Sequence, residues 1–353
     1  MTRKVFQING REISNKYPPY IIAELSGNHN GSISRAKEII SVAKKTGVDA
    51  IKIQSYTPDT MTIKSDNKDF FIKQGLWKNR SLYDLYDEAH TPFHWHKKLF
   101  DHAKKIGITI FSSPFDESAV DLLESLDVPA YKVASFEIVD LPLIKYIAKK
   151  RKPMLISTGM ANLDEIAQSV EIAKSSGCKD LLLFHCISSY PTTLKESRIS
   201  AIKLLKKEFK VEVGLSDHTL GNMASIIATS FGASAIEKHF TLKRSDGGVD
   251  SEFSLEPHEM TNLVKDTIKA HNAISDESKM RSSSEKENMV FRRSIYFVDD
   301  VKKGEKFTKS NIRRIRPGYG LNCSFYPKLI GSICLKNAKK GDRVTKKHFM
   351  SSH

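Results

Sequence analysis

The chain has 353 residues, 40% hydrophobic and 27% charged, with a formal net charge of +15; that suffices for one large domain and a smaller one. No apolar run approaches the ~20 residues of a membrane span. The four scattered cysteines, Cys178, Cys186, Cys323 and Cys334, form no Cys-x-x-Cys pair, which argues against a disulfide framework or a structural zinc site.

The first residues, Met-Thr-Arg-Lys-Val-Phe-Gln, lack the apolar core of a secretory signal, so a cytoplasmic location is expected. Within residues 1–17, Phe6 to Ile13 reads as a hairpin centred on Asn9-Gly10. From 18 to 274, short apolar runs alternate with amphipathic segments. The runs are Ile21 to Leu25, Ala50 to Gln54, Thr109 to Ser113, Ala130 to Ala134, Met154 to Thr158, Leu181 to Cys186, Val211 to Ser216 and Ala235 to Phe240. Helical patterns such as Ser34 to Lys45, Glu117 to Leu126, Leu163 to Lys174 and Met223 to Phe231 lie between them. Buried parallel strands alternating with helices in about eight units predict an α/β fold, a (β/α)8 TIM barrel. A doubly wound sheet is the alternative, but the first run is followed by no Gly-x-Gly-x-x-Gly turn. A long insertion, Ser55 to about His94, follows the second run and holds Leu82-Tyr83-Asp84-Leu85-Tyr86; long βα-loops shape a barrel's mouth. His94 and His96 within it read as surface or loop residues, because a spacing of two separates them on a helix. Residues 275–289 are polar and read as a linker. Residues 290–353, with an alternating Ser294 to Val298 and turns at Lys303-Gly304-Glu305 and Lys340-Gly341-Asp342, read as a small β-rich domain.

Barrel chemistry sits at the C-terminal strand ends, and here those ends are polar. They carry Glu24, Lys52, Gln54, Lys132, Ser135, Glu137, Ser188, Tyr190, Ser216, Asp217, His218, Glu237 and His239. His218 and His239 end adjacent strands; they are either a metal-ligating pair or two independently hydrogen-bonded imidazoles. Lys52 and Lys132 need an anion, which a phosphate or carboxylate ligand supplies, or Glu24, Glu137 or Glu237 supplies internally; a Schiff-base lysine is a third possibility. Ser113, Ser135, Ser157, Ser188 and Ser216 add hydroxyl donors at the same rim. Cys186 reads as a small buried hydrophobe. The basic residues fall in pairs such as Lys44-Lys45 and Lys206-Lys207, on the polar faces of expected helices. No nucleic-acid motif accompanies them, so attraction of anionic substrates is the better reading. A non-catalytic barrel would need no such cluster at its strand ends.

Three stretches resemble the sialic acid synthase family: Ala23-Glu24-Leu25-Ser26-Gly27-Asn28-His29-Asn30-Gly31, Gly214-Leu215-Ser216-Asp217-His218-Thr219 and Glu237-Lys238-His239-Phe240-Thr241. Arg316-Pro317-Gly318 is similar to that family's C-terminal antifreeze-like (SAF) domain. Tyr56 to Thr60, Leu82 to Tyr86, Phe111 to Asp116, Arg244 to Gly248 and Phe253 to Pro257 resemble its pseudaminic acid branch. Sialic acid synthases commonly carry asparagine where this chain has Ser188.

The resemblance implies a metal-dependent condensation of phosphoenolpyruvate with a diacetamido-trideoxy-hexose, with release of phosphate by C–O cleavage. Other nonulosonate synthases, making sialic or legionaminic acid, are the same-class rivals. His218 and His239 are then expected to hold Mn²⁺, or else Co²⁺ or Mg²⁺. Lys52, Ser113, Lys132, Ser135, Ser157, Ser188 and Ser216 would embrace phosphoenolpyruvate, and Gln54, Tyr190 and Asp250 would face the sugar. Glu24 and Glu237 would handle water or proton transfer. Arg316 would reach across a domain-swapped homodimer.

Overall fold

The computed structural model describes residues 6–274 and 283–350. The chain divides into two compact units, Met1–Ser275 and Asp276–His353. The first opens with a two-stranded hairpin, β1 (Gln7–Ile8) and β2 (Arg11–Glu12). Asn9 and Gly10 take φ of 48° and 80° at its turn, the left-handed pair a tight two-residue hairpin requires.

Eight parallel strands then close into a barrel: β3 (Tyr20–Glu24), β4 (Ala50–Ser55), β5 (Thr109–Pro114), β6 (Tyr131–Val133), β7 (Met154–Ser157), β8 (Leu181–Cys186), β9 (Glu212–Asp217) and β10 (Ala235–His239). β10 pairs back onto β3. Each expected apolar run is a strand to within one residue at either end. The helices Ile33–Thr46, Glu117–Ser125, Leu163–Ser175 and Met223–Ser230 cover the same stretches as the amphipathic patterns. Ser32 caps the first of these through its side chain, and Gly47 ends it in the left-handed region.

Period-two alternation sends one set of strand residues inward and the other against the helices. Phe184 fills the interior against Gly214, where a Cβ would lie 2.6 Å from the Phe184 ring. Asp217 and Lys238 take the outward set, and their side chains meet at 2.9 Å with almost no exposure. Asp217 also accepts from Ser225 on the neighbouring helix at 2.7 Å and from the Thr219 backbone at 2.8 Å. Lys238 donates to the Thr219 carbonyl at 2.5 Å. The pair therefore clamps the turn that follows His218.

The insertion after β4 contains short helices at Pro58–Met61 and Leu82–Ala89 before the helix Phe93–Ile106. His94 and His96 lie on that helix rather than on a loop. Of the two only His94 is exposed. His96 is buried, with Nε2 2.6 Å from Ser55 Oγ, and burial pushes its imidazole down to about 4. A polar residue facing a strand serine is invisible to spacing alone.

The second unit carries an antiparallel sheet in the order β12 (Ile312–Ile315), β11 (Ser294–Phe297), β13 (Leu321–Asn322). Its own core includes Ile295, Phe297, Phe307, Ile312, Leu329 and Val344. Within the stretch read as a coil linker, Ser283–Glu287 is helical and Asn288–Phe291 forms a 3-10 turn. Glu285 in the first turn and Lys286 in the last suit the helix dipole; residues 275–282 lie outside the described residues.

Replacing Lys238 with Met would leave the Asp217 carboxylate buried without its counter-charge. The expected loss is about 3–5 kcal/mol of unfolding free energy, read by denaturant titration. A loss below about 1 kcal/mol would show that the pair behaves like an exposed one.

Candidate active site

The inward set of strand residues converges at the C-terminal end of the barrel. Register places His239 opposite Glu24, and Glu24 opposite Lys52, across β10, β3 and β4. Lys52 Nζ contacts Glu24 Oε2 directly and lies 3.9 Å from Glu237 Oε2. Lys132 Nζ is 3.9 Å from Glu237 Oε1 and 5.5 Å from the centre of the Phe184 ring. All four charged groups are buried, the lysines to 3% exposure or less.

The electrostatics sort these groups. Burial pushes the Glu24 carboxyl up to about 7, against the pull of Lys52. Burial works on Glu237 too, but Lys132 and Lys52 flank it and hold its carboxyl below the usual range. Burial, aided by the charge of Lys52, lowers Lys132. Glu24 is thus the group of this cluster that changes protonation near neutrality, and when it holds a proton the cluster carries net positive charge. Glu137, after β6, is likewise raised to about 7 by burial, and its Oε2 has no hydrogen-bond partner.

Hydroxyls surround the ammonium groups. Ser113 accepts from Lys52 at 3.2 Å and Ser157 from Lys132 at 2.7 Å. Ser216 donates to Glu237 at 3.0 Å. Ser135 and Ser188 meet at Gly159, where a Cβ would overlap Ser188 Oγ and lie 2.8 Å from Ser135 Oγ. Sequence reasoning passed over Gly159, because a glycine in a loop carries no signal of what its missing side chain leaves open.

His218 and His239 lie beside this cradle, their ring centres 5.3 Å apart. His218 Nδ1 sits 3.1 Å from the Ile187 carbonyl, which fixes a proton there and leaves Nε2 as the lone-pair nitrogen. Cys186 is buried, but it is more than a small hydrophobe: its Sγ faces the same Nδ1 at 3.7 Å. Burial, then the neighbouring His218 and lysine charges, keeps His239 neutral; its buried Nδ1 has no hydrogen-bond partner and lies 3.7 Å from Asp250 Oδ2. Among the described residues no three His, Cys, Asp or Glu side chains gather as a ligand set. Against the effect of burial, Cys186 and the Ile187 carbonyl raise His218; once deprotonated at Nε2, it and His239, with its unspent buried nitrogen, fit a divalent cation whose other ligands are water and substrate oxygen.

Beside His239, Asp250 accepts from Ser26 Oγ, and Gln54 donates to the same Ser26 oxygen at 3.1 Å. Ser26, in the left-handed region at φ 47°, is a link the sequence reading missed, although it stands inside the first quoted motif. Tyr190 packs 4.5 Å from the His218 ring and 5.4 Å from Phe253. The loops carrying these groups are tied together. Asn28 donates to the Phe240 carbonyl at 3.0 Å and to Ser254 at 2.9 Å. Arg244 grips Glu259, so the Arg244 to Gly248 loop is held to the helix Pro257–Ile274. Of the expected site residues, Arg316 alone belongs to the second unit; it is exposed just past the end of β12.

The NeuB family model matches residues 39–279. The pseudaminic acid synthase of Campylobacter jejuni is 44% identical over 330 residues, covering 94% of this chain and 96% of that protein. The pseudaminic acid synthase of Helicobacter pylori is 40% identical over 323 residues, 91% of this chain and 95% of that one. Among solved structures, the N-acetylneuraminic acid (sialic acid) synthetase of Leptospira borgpetersenii serovar Hardjo-bovis matches with a TM-score of 0.73 at 29% identity, over 81% of this chain and 95% of that chain. With well over half its length matched by the family model and nearly all of it by these relatives, the chain belongs to the NeuB family.

Proposed function

We propose that this chain condenses phosphoenolpyruvate with 2,4-diacetamido-2,4,6-trideoxy-L-altrose, giving pseudaminic acid and phosphate. The observation that carries the reading is the pair of buried lysines, each bonded to a serine, beside the paired rings of His218 and His239 at one barrel mouth. The identity to the Campylobacter and Helicobacter synthases supports the choice of sugar.

Lys52 and Lys132 hold the carboxylate and phosphate of phosphoenolpyruvate, with Ser113, Ser135, Ser157, Ser188 and Ser216 donating around them. Gln54, Tyr190 and Asp250 orient the open-chain sugar so that its aldehyde carbon meets carbon 3 of phosphoenolpyruvate. A divalent cation on His218 and His239, Mn²⁺ or alternatively Co²⁺ or Mg²⁺, would polarise the aldehyde oxygen. As the carbon–carbon bond forms, carbon 2 becomes electron-poor and water adds there. Glu24, with its proton affinity near neutrality, takes the proton from that water and returns it to the former aldehyde oxygen, which becomes a hydroxyl. Glu237 stays ionised between the lysines and keeps them oriented. The tetrahedral carbon then expels phosphate by breaking its C–O bond, and the lysines offset the released charge.

We further propose that the active unit is a homodimer in which Arg316 serves the partner's barrel. Phe136, Val139, Met160, Leu163, Leu220 and Met223 are exposed in the segments after β6, β7 and β9. An exposed apolar collar of this kind fits a second protein surface. A guanidinium suits an anionic substrate at a barrel mouth.

The first test incubates the enzyme with phosphoenolpyruvate, Mn²⁺ and either the diacetamido sugar or N-acetylmannosamine, with products identified by mass spectrometry and NMR. The diacetamido sugar is expected to be favoured by roughly 10–200-fold in kcat/KM; equal turnover of both sugars would overturn the assignment.

Chelation is expected to abolish turnover, and Mn²⁺ or Co²⁺ to restore it. His218→Ala and His239→Ala should lose bound metal and activity together, as read by elemental analysis. Full activity in demonstrably metal-free enzyme contradicts the metal assignment.

Mixing inactive Arg316→Ala with inactive His239→Ala is expected to restore activity after subunit exchange. One site of the mixed dimer then has both an intact barrel and an intact arginine. Mixed dimers that form and stay inactive would show that Arg316 does not act across subunits.

A further inference from the structure

The segment between β4 and the helix Phe93–Ile106 contains a hairpin-like loop. Phe71 and Ser81 form an antiparallel bridge. Inside it the Ile72 amide donates to the Arg80 carbonyl at 3.0 Å, and the Asn79 amide to the Ile72 carbonyl at 2.9 Å. Trp77 stands on the returning side. Its Nε1 donates to the carbonyl of Val249 at 2.9 Å, one residue before Asp250. Its ring lies 5.6 Å from that of Tyr190. The loop is therefore pinned to the segment after β10 and packed against the segment after β8, on the mouth side of the barrel.

We propose that Trp77 is a specificity-determining residue: with Tyr190 it forms an apolar wall for the methyl-bearing end of the sugar. The proposal rests on the reading of the sugar substrate given above. The aldehyde end must lie at His218 and His239 for carbon–carbon bond formation. Tyr190 is centred 4.5 Å from the His218 ring, and Trp77 is centred 5.6 Å from Tyr190. A six-carbon open chain reaches about 6 Å beyond its first carbon, at about 1.5 Å per C–C bond. A chain that runs from the histidines past Tyr190 brings its last carbons and the 4-acetamido group alongside Trp77.

Trp77 has spent its one polar atom on a backbone carbonyl, and its face remains only half-buried. What it still offers a ligand is aromatic surface, which suits methyl groups and not hydroxyls. The rival role is a plug that packs on Val249 as Leu85 and Ala89 do.

The two roles separate in kinetics. Trp77→Ala is expected to lower kcat/KM for 2,4-diacetamido-2,4,6-trideoxy-L-altrose by roughly 10–200-fold, chiefly through KM for that sugar. Turnover of N-acetylmannosamine and KM for phosphoenolpyruvate should stay within about twofold, so discrimination between the sugars collapses. Trp77→Gln keeps a donor for the Val249 carbonyl but has no ring, and should behave like Trp77→Ala. Trp77→Phe keeps a ring without the donor and should retain most of the discrimination. Equal losses for both sugars, a raised KM for phosphoenolpyruvate, or a Trp77→Gln enzyme with unchanged discrimination would overturn the proposal. A wild-type enzyme that ignores the diacetamido sugar fails earlier, on the substrate reading itself, and is seen before any variant is made.

Discussion

Lys52 and Lys132 carry their ammonium groups into the interior of a closed barrel, where water is almost fully excluded. A charge so placed is tolerated only with partners at hydrogen-bond distance. Glu24 and Glu237 provide the counter-charge and Ser113 and Ser157 the hydroxyls. Two lysines and two carboxylates nevertheless share one small volume, and burial pushes the Glu24 carboxyl up to about 7 despite its direct contact with Lys52. With Glu24 protonated the cluster carries net positive charge, a balance that would favour an anion. A phosphate or carboxylate entering the cradle improves the surroundings of both lysines, while Glu24 can release or take up a proton as charge moves. The same burial, followed by the charges of His218 and the lysines, holds the neighbouring His239 well below the usual imidazole range.

Holding such a cluster in place demands rigid walls, and the outward residues of the same strands provide them. Asp217 and Lys238 alternate with Ser216, His218, Glu237 and His239 along β9, β10 and the turn after β9. Each therefore fixes the strand end that carries two inward groups. Their shared grip on Thr219 sets the exit of the chain immediately after His218. Asn28, in the first βα-loop, closes the ring by bonding to Phe240 and Ser254. His29 next to it is buried and driven down to about 4, with Nδ1 accepting from the Gly31 amide. It shapes that loop as a neutral group. Quoted side by side in one motif, Glu24, Asn28 and His29 thus divide between charge balance and loop geometry.

The charge of the chain is as unevenly placed as its chemistry. Residues 276–353 hold nineteen Lys and Arg against eight Asp and Glu, so they supply eleven of the fifteen net positive charges. The barrel unit is close to balanced by comparison. A basic second unit raises the local concentration of anions around the molecule, in keeping with a phosphorylated, carboxylate-bearing substrate. The pairs of lysines on the barrel helices, by contrast, are solvated faces: Lys97, Lys98, Lys104 and Lys105 are all exposed.

The amino-acid sequence by itself determined the barrel, because apolar runs with period-two and period-3.6 spacing leave a parallel sheet few other ways to bury itself. It also marked the strand ends as the place of chemistry, since lysine, glutamate and histidine in such runs have no bland explanation in bulk. What it could not supply was which of these groups face one another. Glu24 and Glu237 lie far apart in the chain, yet both reach Lys52 only because β10 closes onto β3. Gly159 matters through an absent side chain, Ser26 through an unusual backbone angle, Trp77 through a hydrogen bond to a residue 172 positions away. His96 is buried against its partner, Ser55, on a strand that spacing along a helix does not sense. Periodicity records which face a residue takes; only the closed three-dimensional register decides what stands on the other side of that face, and distance between charges is what sets their protonation.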